Sequence, residues 1–159
     1  MEYRKIQPGT GHREGRKLLA QMYRRRTGKE MPEILLGERG KPYFAAGDWH
    51  FSISHTKNFV FCALDTAPVG IDAEELDRDI KLTLADKILS PVEKAQYDAA
   101  TDKKRALLTF WVLKEAAGKC SGEGINGYPN KTNFSLDDPR VTEIDGCLVA
   151  VIKEYDYDL

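Results

Sequence analysis

The stretch FWVLKEAAGK, from Phe110 to Lys119, is the most informative part of the sequence for the fold, because it belongs to the longest predicted helix and supplies side chains that face the core. On a helical wheel that starts at Leu108, four side chains fall within about 60° of zero: Trp111, Val112, Glu115 and Lys119. Glu115 therefore points in the same direction as the apolar residues. Two explanations are open: an ion pair with Lys119, four residues on, or a carboxylate that is needed inside for chemistry.

Start and stop signals predict three helices. The first runs from about Arg13 to Arg26 and ends at Gly28. The second begins at SPVE, Ser90 to Glu93, which has the pattern of a capping box. The third runs from Lys103 to Ser121, with Asp102 as its N-cap.

Apolar runs bounded by turn residues predict the strands: His50 to His55, Phe59 to Leu64, Val69 to Glu74, and a C-terminal hairpin from Arg140 to Tyr155 that turns at Asp145-Gly146. The stretch from Leu36 to Phe44 is predicted to be a loop, because Gly40 and Pro42 interrupt it. The order of elements predicts an α+β fold with two similar α+β halves, residues 1–67 and 68–159.

Composition describes an ordinary globular chain of 159 residues, 42% hydrophobic and 31% charged, long enough for one domain or two small halves. No apolar run approaches the roughly 20 residues of a membrane span, and the first residues lack the apolar segment of a secretory signal. Three cysteines without close spacing argue for a reducing compartment and against a zinc site. We therefore expect a cytoplasmic protein that does not contact a membrane.

The charge is unevenly distributed, although the net charge is only -1. Residues 1–41 carry eleven Lys and Arg against five Asp and Glu, a charge of +6, and the remainder carries -7. A basic first quarter favours an anionic ligand or partner, and solvated helix faces are the simpler explanation for part of it. No nucleic-acid-binding motif accompanies it, so we expect no nucleic-acid partner.

Two acids of the predicted strand, Asp72 and Glu74, are two residues apart and therefore lie on one face. Like charges at that spacing repel each other unless a cation or water separates them, or unless they turn into solvent. Together with Glu115 they form a candidate set of Mg²⁺ ligands, because hard divalent cations prefer oxygen ligands. Lys114 and Lys119 flank Glu115 and would bind the phosphate oxygens of a substrate.

Four motifs occur in the order and approximate spacing of one protein family: GKP (Gly40 to Pro42), FSISHT (Phe51 to Thr56), VGIDAE (Val69 to Glu74) and FWVLKEAAGK (Phe110 to Lys119). The chain resembles the 4′-phosphopantetheinyl transferases, and within them the surfactin-synthetase-activating type. The signature of that type is G-[IV]-D-x-E, followed later in the chain by W-x-x-K-E-[AS]-x-x-K.

The resemblance implies transfer of 4′-phosphopantetheine from coenzyme A to a serine of an acyl or peptidyl carrier protein, an activity of the holo-[acyl-carrier-protein] synthase type that releases adenosine 3′,5′-bisphosphate. It implies Mg²⁺, with Mn²⁺ as an alternative, at three acids: Asp72, Glu74 and Glu115. It implies contacts to coenzyme A from six residues: Arg13, Lys41, Ser54, His55, Lys114 and Lys119. Residues 1–67 would bind the nucleotide, and residues 68–159 would carry the metal site. Asp72, Glu115 and Lys119 would be catalytic.

Two questions remain open from the sequence. The base that takes the serine proton is Glu115, directly or through a water on the metal, or Glu93, which the capping box already explains structurally. Members of the family usually carry more residues before the His12-Arg13 segment, and eleven precede it here. This difference motivates a second hypothesis, a catalytically weak module that binds coenzyme A or a carrier protein. Because both halves lie in one chain, we expect a monomer.

Overall fold

A computed structural model describes residues 1–124 and 133–154, and it confirms the α+β class. The helices are α1 (Gly11–Thr27), α2 (Ala85–Ile88), α3 (Pro91–Ala99) and α4 (Lys103–Ser121), with a 3₁₀ turn at Leu82–Leu84. The strands are β1 (Glu2–Lys5), β2 (Ile34–Leu36), β3 (Pro42–Phe44), β4 (His50–His55), β5 (Phe59–Asp65), β6 (Val69–Glu75), β7 (Val141–Ile144) and β8 (Cys147–Lys153). Across the part of the chain that is described, no helix is long and apolar enough to cross a membrane.

Two antiparallel three-stranded sheets organise the fold, and a long helix packs against each of them. α1 packs against the sheet β1-β5-β4, and α4 packs against the sheet β6-β8-β7. A third cluster of buried side chains connects β5 with β6 and β8: Phe61, Ala63, Val69, Ile71, Ala73, Cys147 and Val149. The predicted boundary between residues 67 and 68 falls in the turn between β5 and β6, and the similarity of the two halves stays a prediction.

β4 and β6 are joined through side chains. The hydroxyl oxygen of Ser52 accepts a hydrogen bond from the Ile71 amide at 3.1 Å, and that of Ser54 accepts one from the Ala73 amide, also at 3.1 Å. Both serines are buried, so these bonds satisfy strand amides that would otherwise lose their partners. The junction places Asp72 directly beside β4.

Close packing of β6 on α4 depends on Gly70. A Cβ at this position would overlap the carbonyl oxygen of Ala116 and come within 2.5 Å of the Cys120 amide nitrogen. Because both obstacles are helix backbone, neither moves aside cheaply. Gly70→Ala is therefore expected to lower the free energy of unfolding by about 3 kcal/mol in urea titrations.

Gly37→Ala is the matched control for this prediction. Gly37 lies in the turn between β2 and β3, where the nearest obstacle to a Cβ is the Lys41 carbonyl oxygen at 3.3 Å. We expect its substitution to cost less than about 1 kcal/mol. Equal losses for the two variants would contradict the close approach of β6 to α4.

The helix signals of the sequence are confirmed. α1 ends at Gly28, which has a left-handed φ of 72°. Ser90 and Glu93 form a reciprocal capping box, in which each side chain accepts a hydrogen bond from the other residue's amide. The Asp102 side chain caps α4 by accepting a hydrogen bond from the Arg105 amide. Local capping chemistry therefore fixes where these helices begin and end.

The strand predictions are confirmed with one exception. Asp145 and Gly146 have φ values of 48° and 78°, as a two-residue hairpin turn requires, and the predicted end of that hairpin at Tyr155 lies outside the described residues. The prediction of a loop from Leu36 to Phe44 is wrong. Its two ends belong to β2 and β3, with Leu36 directly opposite Pro42, because Gly40 marks the turn of a hairpin and not a long loop.

Candidate active site

A cavity of about 400 Å³ lies where α1, the β2–β3 turn, β4 and the end of α4 meet. Six lining residues carry, or acquire on protonation, a positive charge: His12, Arg16, Arg39, Lys41, His55 and Lys119. Glu115 of α4 adds a carboxylate to the same wall. A cleft with this concentration of positive charge suits an anionic ligand.

The start of α1 reaches the cavity because residue 11 is glycine. A Cβ at Gly11 would overlap the ring of His55, so only glycine lets α1 close over the end of β4. His12 and Arg16 follow on this helix, four residues apart and on the same face, and both line the cavity.

Lys41 closes the cavity on the opposite side. Its ammonium group donates a hydrogen bond of 2.8 Å to the carbonyl oxygen of Cys120, in the last turn of α4. A cation at this position also meets the negative end of the helix dipole. Burial lowers the pKa of Lys41, against smaller opposing effects of Cys120 and Glu154. Lys41 thus ties the β2–β3 hairpin to α4.

Asp72 is a buried acid that contacts Lys119, a residue of the cavity wall. Its Oδ1 accepts hydrogen bonds from Lys119 at 3.1 Å and from the Ser54 hydroxyl at 3.3 Å. Its Oδ2 is buried and has no hydrogen-bond partner among the described residues. The pKa of Asp72 is raised to about 7, mainly by burial; the charges of Glu74 and Glu115 contribute to this rise, and Lys119 opposes it.

Glu74 and Glu115 lie near Asp72 but have different surroundings. Glu74 Oε1 lies 2.7 Å from an Arg78 guanidinium nitrogen and accepts a hydrogen bond of 3.1 Å from the Trp111 indole. Burial raises the pKa of Glu115, and Glu74 raises it too, while Lys119 and Arg78 lower it. These mutual effects show that the three acids share one electrostatic environment.

The three acids fit a divalent cation in their chemistry. Carboxylate oxygens are the preferred ligands of Mg²⁺, and the Oδ2 of Asp72 is a buried acceptor with no hydrogen-bond donor among the described residues. Within residues 1–124 and 133–154, however, no three His, Cys, Asp or Glu side chains are already arranged as a metal-binding cluster. Glu74 contributes to this result, because its Oε1 is already in contact with Arg78 and Trp111.

Residues 68–153, which include β6, α4 and β8, match the family model described as the 4′-phosphopantetheinyl transferase superfamily. The chain belongs to this superfamily. The resemblance seen in the sequence motifs is therefore confirmed, and the acids and Lys119 all lie inside the matched region.

Three relatives illustrate the similarity. The chain is 32% identical over 127 residues to a 4′-phosphopantetheinyl transferase of Bacillus subtilis, covering 76% of this chain and 56% of the relative. It is 37% identical over 93 residues to the transferase Sfp of Bacillus subtilis strain 168, covering 56% and 41%. It is 34% identical over 102 residues to the transferase gsp of Aneurinibacillus migulanus, covering 63% and 41%. The chain thus spans about half the length of the relatives that it matches.

The structure does not bring Lys114 of the transferase signature to the cavity. Its ammonium nitrogen lies 2.8 Å from Glu93 Oε1, and both side chains are completely buried. The contact is an ion pair whose angle is poor for a hydrogen bond. Because successive helix residues are 100° apart, Lys114 faces α3 while Glu115 faces the cavity. The sequence left open an ion pair between Glu115 and Lys119. The buried ion pair of this helix is formed instead by Lys114 with Glu93.

Arg13 and Ser54 also lie outside the lining of the cavity. The Arg13 side chain is 68% exposed and lies 3.5 Å from Glu14. Ser54 is buried in the junction between β4 and β6, where it bonds to Ala73 and Asp72. Lys41, His55, Glu115 and Lys119 do line the cavity, and their roles toward coenzyme A and the metal stay predictions.

His12, Arg16 and Arg39 line the cavity, and the sequence had singled out only Arg16 among them, as one of several basic residues that could contact the nucleotide. The signal for the first two was their spacing, since residues four apart on a helix share a face. Arg39 precedes the GKP motif directly in the same turn.

Proposed function

We propose that the protein transfers 4′-phosphopantetheine from coenzyme A to a serine of an acyl or peptidyl carrier protein, in a Mg²⁺-dependent reaction that releases adenosine 3′,5′-bisphosphate. The observation that carries this proposal is the basic cavity, whose wall contains Glu115 and Lys119, with Asp72 bonded to Lys119 behind that wall. The names of the relatives, all 4′-phosphopantetheinyl transferases, agree with it.

The basic wall supports binding of the nucleotide end of coenzyme A. Arg16, Arg39 and Lys41 lie in residues 1–67 and present three cations to the cavity. One guanidinium group can bind two phosphate oxygens at the same time, which suits a terminal 3′-phosphate. In this proposal residues 1–67 hold the nucleotide, and residues 68–159 hold the metal and the reacting diphosphate.

Lys119 supports the transfer step. The serine oxygen bonds to the β-phosphorus of coenzyme A, the bond from this phosphorus to the bridging oxygen breaks, and adenosine 3′,5′-bisphosphate leaves. Mg²⁺ bound to Asp72, Glu74 and Glu115 would neutralise charge on the phosphate oxygens and on the leaving group. Lys119 adds a fixed positive charge at the cavity wall, and its contacts with Asp72 and the Ile71 carbonyl oxygen hold it in place.

Glu115 is our candidate for the base that takes the serine proton. It lines the cavity, and burial raises its pKa, which makes the carboxylate a better proton acceptor. Glu93 is less suited to this role because it is completely buried. One of its oxygens accepts a hydrogen bond from the Ser90 amide, and the other accepts one from the Phe134 amide.

Incubation of the purified protein with coenzyme A, Mg²⁺ and several apo-carrier proteins tests the proposal. Intact mass spectrometry should show the phosphopantetheine increment on at least one carrier, and chelation of Mg²⁺ should abolish it. Binding of coenzyme A without modification of any carrier would favour the second hypothesis, a binding module. Light scattering on the same sample tests the expected monomer, and cell fractionation tests the expected cytoplasmic location.

Arg16 and Arg13 provide a matched pair for the cavity. Arg16 lines it, whereas the Arg13 side chain is largely exposed three residues earlier on the same helix. Arg16→Ala should raise the KM for coenzyme A by about tenfold, the effect of one lost charge-assisted contact. Arg13→Ala should change KM by less than about twofold. The reverse order in steady-state kinetics would favour the role that the family motif assigns to Arg13.

A further inference from the structure

Arg78 and Trp111 hold the same carboxylate oxygen. An Arg78 guanidinium nitrogen lies 2.7 Å from Glu74 Oε1, and the Trp111 indole N–H donates to that oxygen at 3.1 Å. The guanidinium also lies over the Trp111 ring, 5.7 Å from its centroid. We call Arg78 and Trp111 the Glu74 clamp. The other oxygen of Glu74 makes no hydrogen bond within the described part of the chain.

The two members of the clamp differ in charge. Trp111 is a neutral donor, so it can orient Glu74 without changing the net charge of the site. Arg78 neutralises Glu74, and its positive charge also acts on Glu115. A cation that approaches the three acids therefore meets a positive charge already in place, which opposes its binding.

We propose that Arg78 is the resident counter-ion of Glu74 and that a divalent cation displaces it, while Trp111 keeps the carboxylate aimed at the site. This inference rests on the proposed function, because it assigns the cation to Asp72, Glu74 and Glu115. Arg78 compensates Glu74 when no cation is bound, as Lys119 compensates Asp72, and the departure of Arg78 makes room for the cation.

The surroundings of Arg78 permit this displacement. Its side chain is 39% exposed, whereas that of Glu74 is 20% exposed, so the guanidinium can move into water while the carboxylate stays. An exposed ion pair contributes little net stability, so little free energy is lost when a cation displaces Arg78 from Glu74. Trp111 is anchored in the body of α4 and packs against the core, so it does not leave with Arg78.

Arg78→Gln tests the proposal because it removes the charge and keeps a side chain, although a shorter one, that can donate hydrogen bonds. Titration calorimetry with Mn²⁺ alone, without coenzyme A, should show affinity that is about 3–10-fold higher than in the wild type. Lys81→Ala is the control: Lys81 is exposed, lies three residues further along the chain, and makes no hydrogen bond or ion pair with Glu74 among the described residues. It should change the affinity by less than about twofold.

Trp111 provides a second measurement that does not depend on activity. The chain has two tryptophans, so Trp49→Phe leaves Trp111 as the source of indole fluorescence. Addition of Mg²⁺ to this variant should change the emission in a saturable manner, since Arg78 leaves the ring. In Trp49→Phe/Arg78→Gln the remaining change should be smaller, and it should saturate at lower Mg²⁺.

The outcomes separate this inference from the proposed function. Mn²⁺ binding by the wild type with equal or weaker binding by Arg78→Gln would overturn the inference and leave the proposed transferase intact. Absence of Mn²⁺ binding by every variant, including Arg78→Gln, would overturn the metal site and the inference together. If Lys81→Ala raised the Mn²⁺ affinity as much as Arg78→Gln, the increase would be an effect of general surface charge. That outcome would also overturn the inference.

Discussion

Asp72→Asn is expected to lower kcat/KM for carrier modification by about 10²–10³-fold while the protein stays folded. Asparagine can accept the same hydrogen bonds from Lys119 and Ser54 through its amide oxygen. It lacks the charge, and it puts an amide group in place of the unpartnered carboxylate oxygen. The substitution therefore removes the metal-binding character of the site without removing its packing.

Glu75→Gln is the control for this substitution. Glu75 lies in the same strand and accepts a hydrogen bond of 2.6 Å from the Asn58 side chain, so it has a structural partner of its own. Its replacement should leave kcat/KM within about twofold of the wild type. If Asp72→Asn retained full activity at saturating Mg²⁺ and coenzyme A, the assignment of the acid site would fail.

The stability of Asp72→Asn gives a pH dependence with a definite sign. Burial raises the pKa of Asp72 from 3.8 to about 7 in the folded protein. The folded protein thus holds this proton at pH values where the unfolded chain has lost it, and the contribution of Asp72 to stability falls as pH rises from about 4 to about 7. Asparagine has no such titration. The two proteins should have similar melting temperatures at pH 4 in the absence of divalent cations, and the variant should melt higher at pH 8.

Local signals in the sequence were sufficient for most of the fold. Capping residues such as Asp102 and turn residues such as Gly146 act within a few positions, so their effect is visible in the sequence alone. The junction between the sheets was not visible, because Ser52 bonds to the backbone of Ile71, a residue distant in the chain. A hydroxyl that accepts from another strand has no sequence signature. The β2–β3 hairpin was missed because its glycine and proline suggest a loop as readily as a turn.

The candidate site was predictable where one helix face decided it. The wheel placed Glu115 and Lys119 on one face of the helix, and both line the cavity. It could not identify the partners of these residues, because Lys119 contacts Asp72 of β6 and not Glu115. The choice between Arg13 and Arg16 depended on how α1 is rotated against β4, which tertiary packing determines.

Lys114→Met is expected to destabilise the protein by about 3–5 kcal/mol, the largest stability effect that we predict. The Lys114–Glu93 pair has no access to solvent, so removal of the lysine leaves an uncompensated carboxylate in the core. Glu93 also accepts backbone hydrogen bonds from Ser90 and Phe134, so it cannot rearrange without breaking them. Equilibrium unfolding in urea measures the loss. Lys104→Met, in the first turn of the same helix and without an ion pair among the described residues, should cost less than about 0.5 kcal/mol.

A double-mutant cycle with Glu93→Gln distinguishes a buried pair from a phosphate-binding lysine. If the two charges compensate each other, Lys114→Met and Glu93→Gln should each be destabilising, and the double variant should be more stable than the sum of the two losses implies, by about 1–3 kcal/mol. Recovery should be incomplete, because glutamine cannot accept from both Ser90 and Phe134 as the carboxylate does. If Lys114 bound phosphate instead, Lys114→Met would raise the KM for coenzyme A with little loss of stability, and the cycle would show no coupling. If the cycle shows coupling, the adjacent charges of Lys114 and Glu115 have separate explanations. Lys114 is compensated inside the core, and Glu115 faces the cavity.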